Sequence, residues 1–130
     1  GLPVSSVSVS SPYGWRANPW GNDPSEFHDG IDLVGASGTS IYASKAGTVA
    51  TSGYDASAGN YVIINHGDGY YSYYLHLSSF VVSTGQSVGQ GSLVGGMGTT
   101  GNSTGVHLHF GIATSDSWSG FVDPAPLLGI

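Results

Sequence analysis

The sequence predicts an all-β fold: an antiparallel two-sheet, sandwich-like domain with a groove walled by long loops. Three observations predict it. Glycine is abundant, at 22 of 130 residues, and stands between short apolar and aromatic runs, which marks frequent turns. The usual surface helix formers are nearly absent: the chain has two cations and one glutamate, Glu26. The apolar residues come in short runs or alternate with polar ones, as half-buried strands do.

The elements follow in order. Val4, Val7 and Val9 alternate loosely in a Ser-rich lead-in over residues 1–12. Residues 13–27, with Trp15, Trp20, Pro19 and Pro24, read as a long irregular loop; long ordered loops are often functional. A strand starts at 31–33. Residues 39–43 and 47–51 read as a hairpin around Lys45-Ala46-Gly47. Residues 61–65 and 70–76 form a second hairpin across the turn His66-Gly67-Asp68-Gly69. Short strands at 87–88 and 92–94 flank Gly89-Gln90-Gly91. Residues 95–105 are a Gly/Thr/Ser loop, 106–113 the last clear strand, and 121–130 a tail packed back on the sheet. No repeat or internal boundary appears, so residues 1–130 read as one domain.

Charge excludes whole classes of partner. The formal net charge is −6 at pH 7, and Arg16 and Lys45 are the only cations. Two cations neither neutralise a phosphate backbone nor grip anionic lipid, so neither nucleic acid nor membrane is an expected partner. No apolar run approaches the roughly 20 residues of a membrane-spanning helix. The N-terminus shows no basic region followed by an apolar stretch, so no signal peptide is visible. With no cysteine, there is neither a disulfide nor a thiolate ligand.

The histidines carry the chemistry. Three of the five fall in two tight motifs, His28-Asp29-Gly30-Ile31-Asp32 and His107-Leu108-His109-Phe110. His76 sits in Tyr73-Tyr74-Leu75-His76-Leu77-Ser78. On a strand, His107 and His109 share a face, about 7 Å apart, while Leu108 and Phe110 face the core. One of the two can bind a metal and the other face the space beside it. His28 and Asp32 would lie about 13 Å apart on a straight strand, too far for one ion. Gly30 permits a bend that joins them. His, Asp and a second His give three N/O ligands and leave a fourth position open, as in catalytic zinc sites. No glutamate base stands nearby, so a histidine has to move the proton. His66 lies at a turn and reads as an ordinary polar turn residue.

These motifs resemble the M23 zinc metallopeptidases, the lysostaphin-like or LytM-type peptidoglycan endopeptidases. The matching stretches are Phe27-His28-Asp29-Gly30-Ile31-Asp32-Leu33, Gly59-Asn60-Tyr61-Val62-Ile63-Ile64, Tyr74-Leu75-His76-Leu77-Ser78, and the run from Gly98 through Gly105 with Val106-His107-Leu108-His109-Phe110. The resemblance implies a Zn2+ site of His28, Asp32 and His109, with His76 and His107 as non-ligating catalytic histidines. It implies cleavage of peptide bonds in peptidoglycan stems or cross-bridges, with small residues such as Gly or Ala at the bond. Arg16, in a Gly-x-Arg-x-x-Pro element, and Asn60, at a groove-wall position, are the implied substrate contacts. Val106 and Gly111 depart from the family pattern, which usually has Pro and a polar residue there; both lie outside the metal set. The groove is expected to be narrow and lined by Tyr and Asn rather than charge, so that small residues are favoured.

Two rival readings have their own markers. A lipoyl- or biotinyl-type carrier needs an exposed lysine at a hairpin tip, and Lys45 is the single lysine. A catalytically silent peptidoglycan-binding or amidase-activating scaffold would hold no zinc, whereas all five positions are intact here. The expected setting is secreted, wall-associated or phage-borne. A monomeric catalytic domain, joined to targeting domains elsewhere in the full-length protein, completes the expectation.

Overall fold

The structure, a computed structural model, describes residues 1–16 and 26–130, without the side chains of Trp15, Arg16 and Glu26. Among the described residues twelve strands run in order: β1 (Val9–Ser11), β2 (Gly14–Arg16), β3 (Glu26–His28), β4 (Ile31–Val34), β5 (Ser40–Tyr42), β6 (Gly47–Asp55), β7 (Gly59–Asn65), β8 (Tyr71–Phe80), β9 (Ser87–Val88), β10 (Leu93–Met97), β11 (His107–Ala113) and β12 (Phe121–Val122). A single helical turn, α1 (Ala125–Leu128), follows. The all-β, antiparallel expectation holds.

Ten strands form one sheet in the order β1-β4-β11-β8-β7-β6-β9, with β10 joining β8 to β5 and β12 beside β11. Strands β2 and β3 make a separate ribbon. The sandwich-like form comes from the large sheet folding over on itself. Leu33, Leu108, Tyr74, Val62 and Val49 from one part meet Ile41, Val94 and Met97 from the other in one buried cluster. On the opposite face, Ile63, Tyr73 and Ala113 form a smaller cluster, flanked by Tyr61, Tyr71, Leu75 and Phe121. Leu108 and Phe110 face the main core, as their alternation with the two histidines requires.

Two expectations are corrected. Strands β5 and β6 do not pair: β5 pairs with β10, while β6 pairs with β7 and β9. The connecting segment is held elsewhere, Ala43 N–H donating to Ser92 O and Lys45 pairing with Asp68. The Gly-rich stretch after Val94 is still strand to Met97. A Cβ at Gly95 would stand 2.2 Å from Ser79 O, so that glycine serves close strand approach rather than a loop. Of the long loop over 13–27, its two ends pair as β2 and β3; residues 17–25, with Pro19, Trp20 and Pro24, lie outside the described residues.

Strand β8 carries the feature that shapes the site. Val62 pairs with Tyr74 and Asn60 with Leu77, so β8 has one residue more than β7 across that interval. His76 lies in the interval at φ 62°. Beyond it the alternation slips: Tyr74 and Leu77, three apart, share the main core. The bulge lets β8 leave β11, which it pairs up to Leu75–His109, for β10, which it meets at Leu77–Met97. Bulges of this kind re-aim one side chain, here the imidazole of His76.

Candidate metal centre

Three adjacent elements deliver the donor atoms. β3 ends at His28, residues 29 and 30 break the strand, and β4 brings Asp32 opposite His109 of β11. Gly30 does not take a positive φ; it supplies room. A Cβ there would lie 2.5 Å from His109 Nε2 and 2.7 Å from Phe110 O. The bend foreseen between His28 and Asp32 is present, but glycine is required for contact rather than for backbone freedom.

The donors form a nearly equilateral triangle. His28 Nε2 lies 3.2 Å from Asp32 Oδ1, His109 Nδ1 lies 3.2 Å from the same oxygen, and the two nitrogens are 3.2 Å apart. A tetrahedral ion with bonds of about 2.0–2.1 Å needs donor separations of about 3.3 Å. Two imidazoles and one carboxylate at this spacing fit zinc in type and in size. Among the described residues this is the one His/Cys/Asp/Glu group with such geometry.

Each histidine has its outer nitrogen tied, which fixes the tautomer because a carbonyl only accepts. His28 Nδ1–H donates to Pro12 O at 2.9 Å, His76 Nδ1–H to Thr100 O at 2.8 Å, and His107 Nδ1–H to Gly105 O at 2.8 Å. His109 is reversed: Nε2–H meets Asp29 Oδ1 at 3.3 Å, which leaves Nδ1 for the triangle. Asp29, which the sequence reading left without a role, is therefore the outer partner of His109. The signal was available, since a ligating histidine needs an acceptor behind it and Asp29 stands inside the motif.

Electrostatics follow from the packing. Burial opposes the charge on Asp32, but the His109 and His28 rings set against it outweigh that cost and hold the carboxyl well below the usual range. Burial also opposes protonation of His109, yet Asp29 and Asp32 overcome it and push the ring up to about 9 in the metal-free chain. His76 moves the other way: burial pushes it down, the bond to Thr100 resists, and neighbouring His107 adds to the depression.

The remaining predicted residues fall into place unequally. His107 Nε2 lies 3.7 Å from Asp32 Oδ1, beside the triangle, and the His76 and His107 rings are 4.9 Å apart. His66 lies outside the site, donating to Ala46 O and bonded to the Ser72 hydroxyl. Asn60 is not among the described residues around the cleft next to the triangle; its amide donates to Leu77 O and Ser78 O at 3.1 and 3.2 Å, bracing β8 just after the bulge. The Arg16 side chain lies outside the described residues. A cleft of about 380 Å³ opens beside the histidines, lined by Asp29, Asp55, Ser57, Ala58, Leu75 and Asn102 as well as Trp118. No tyrosine is among the described residues that line this cleft, and Tyr73 and Tyr74 are fully buried. Sequence reasoning missed Trp118, whose place depends on a loop that no local pattern specifies.

A family model for peptidase family M23 matches residues 26–121. The chain belongs to peptidase family M23. That is the family its motifs resemble. This M23 chain is similar to the peptidoglycan DD-endopeptidase ShyA of Vibrio cholerae, 45% identical over 83 residues, 64% of the chain and 19% of ShyA. It thus spans about a fifth of that curated relative's length. Among solved structures it is similar to the catalytic domain of the antimicrobial peptidase lysostaphin from Staphylococcus simulans, with a TM-score of 0.84 and 31% identity over 95% of this chain and 93% of that one. It is also similar to a zinc-containing peptidase from Vibrio cholerae, with a TM-score of 0.80 and 32% identity over 85% of this chain and 35% of that one.

Proposed function

We propose that this M23 domain is a zinc-dependent endopeptidase that hydrolyses peptide bonds in bacterial peptidoglycan, in stem peptide or cross-bridge, with small residues such as Gly or Ala at the bond. The observation that carries the reading is the 3.2 Å triangle of His28, Asp32 and His109 with two further imidazoles beside it. Similarity to a peptidoglycan DD-endopeptidase and to lysostaphin supports the substrate. A substrate of this kind supports a secreted, wall-associated or phage-borne setting. The proposal includes a monomeric domain with targeting segments elsewhere in the full-length protein.

His28, Asp32 and His109 would hold the ion. When bound, zinc supplies Lewis acidity, which acidifies a water and polarises a carbonyl. The proton movements fall to the chain. His107, beside the triangle, accepts the water's proton at Nε2, because its Nδ1–H is committed to Gly105 O. His76 is kept neutral by burial and likewise presents Nε2. Two rings 4.9 Å apart do not both carry charge easily, so the pair holds one proton at a time and passes it to the departing amine. The water oxygen bonds to the carbonyl carbon, the carbon–nitrogen bond breaks, and acid and amine leave as new termini.

His76→Ala and His107→Ala should each keep one zinc per chain yet cut turnover by about 10²–10⁴-fold. Zinc analysis and peptide-cleavage rates check this, and a variant of undiminished rate removes that residue from the mechanism. A silent scaffold would show no cleavage in the parent.

A further inference from the structure

Gly111 is one of the two places where this chain departs from the family pattern, and the metal site makes no use of it. A Cβ at Gly111 would stand 3.0 Å from the Phe121 ring, so the glycine opens the space that Phe121 fills. Phe121 in turn packs on Tyr73, with ring centroids 4.8 Å apart. The Tyr73 hydroxyl donates to Ser115 O at 2.6 Å and accepts from Trp118 N–H at 3.1 Å. The Trp118 ring meets Tyr73 and Tyr61 at 5.1 and 5.2 Å, both at steep angles. The loop between β11 and β12 is therefore pinned through its backbone and through its one large ring.

Core packing does not account for this construction. Trp118 remains 43% exposed and sits at φ 61°, a left-handed conformation unfavourable for a residue with a bulky side chain and one that recurs at functional sites. It lines the cleft with His76, His109 and Leu75, and it is the bulkiest side chain there. A rigid indole, with two side-chain torsions to fix, makes a firm limit to what fits. The cleft volume of about 380 Å³ lies at the low end of the roughly 300–1,000 Å³ typical of ligand pockets.

We infer that Trp118 is a specificity-determining residue: its indole forms the cleft wall against which the peptide lies, and it excludes side chains larger than methyl beside the scissile bond. The inference rests on the peptidase reading and names the group that sets its substrate class. Glycine and alanine segments offer flat peptide planes to such a wall, whereas a branched side chain meets the ring.

The test compares the full chain with Trp118→Phe and Trp118→Ala, each checked for zinc content and melting temperature, on matched peptides with Gly, Ala or Leu after the scissile bond. The parent should favour Gly and Ala in kcat/KM. Trp118→Ala should lose about tenfold or more of that preference, with KM rising on the glycine peptide, and Trp118→Phe should keep most of it. An unchanged preference in Trp118→Ala overturns the inference. A second readout needs no hydrolysis: the zinc-free parent and Trp118→Phe are titrated with triglycine while tryptophan fluorescence is followed, Trp15 and Trp20 being common to both. A change confined to the parent supports the wall even if no peptide is cut, in which case the peptidase reading alone fails; no difference between the two overturns the wall.

Discussion

Asp29 shows how much one side chain contributes to this site. It receives the Nε2 proton of His109 at 3.3 Å while half exposed itself, so it turns His109 to offer Nδ1 to the triangle. Asp29→Ala should lower zinc affinity about 10–100-fold; Asp29→Asn, which still accepts a hydrogen bond, should lose less. Competition against a chromophoric chelator measures both. The same contacts set the pH response of the metal-free protein. His109 is raised to about 9, so its contribution to stability is complete below about 6.5 and is lost as pH rises through about 9. Asp29, held down chiefly by the His109 bond, and Asp32 have lowered values, so their contributions are present above about 4 and are lost as pH falls. His76, pushed down by burial, costs stability as pH falls below about 6.5, so melting temperature in chelator should peak near about pH 6.5 and fall on both sides. Zinc uptake at neutral pH should release a proton, because the ion takes the place of the one on His109. The donor types were legible in the sequence because two imidazole motifs and a carboxylate announce their chemistry by type and spacing, while the choice of His109 over His107 came with the family resemblance. Asp29 was passed over because the distinction between ligand and ligand's partner lies in geometry, and the bracing of the β8 backbone by the Asn60 amide has no mark in the sequence.

Elements hold these side chains in place through close approach more than through regular geometry. Gly30 lets the β3–β4 turn pass against His109. Gly30→Ala places a Cβ 2.5 Å from Nε2, which should push the ring off the triangle and reduce turnover by about 10²-fold, a loss read alongside zinc content. Below the site, the buried Tyr74 hydroxyl accepts from Ser44 N–H at 3.0 Å and meets the Ser72 and Ser44 hydroxyls at 2.8 and 3.3 Å. Tyr74→Phe should cost about 1–3 kcal/mol in urea unfolding, since it leaves buried polar groups without that partner. Strands 61–65, 70–76 and 106–113 were legible because alternation and turn residues mark them. Pairing was not: alternation tells which way a side chain faces but not which strand lies alongside, so the β5–β6 hairpin was misread. The bulge at His76 has no sequence mark either, because it depends on β8 having two partners, β11 and then β10.

At the scale of the molecule, one sheet folded over a single core presents the metal site and cleft on the face away from most of its buried residues. No helix of the described residues is long and apolar enough to cross a membrane. Because the triangle exists only once the fold brings His109 to His28, 81 residues away, zinc should bind the native state selectively. A free zinc concentration of 100 times Kd should then stabilise the fold by about 2.7 kcal/mol, visible as a rise in melting temperature that His109→Ala abolishes. The family was legible from the order and spacing of short motifs, but the cleft's character was not, because its acidic and indole lining comes from loops. The most direct test of the central claim is to incubate purified peptidoglycan with the parent protein, the zinc-stripped protein and His109→Ala, following turbidity and identifying fragments by mass spectrometry. Zinc-dependent release of fragments with new peptide termini and no new reducing sugars is expected, lost in both altered forms. Intact cross-bridges and stem peptides after treatment with a parent protein carrying one zinc per chain would contradict it.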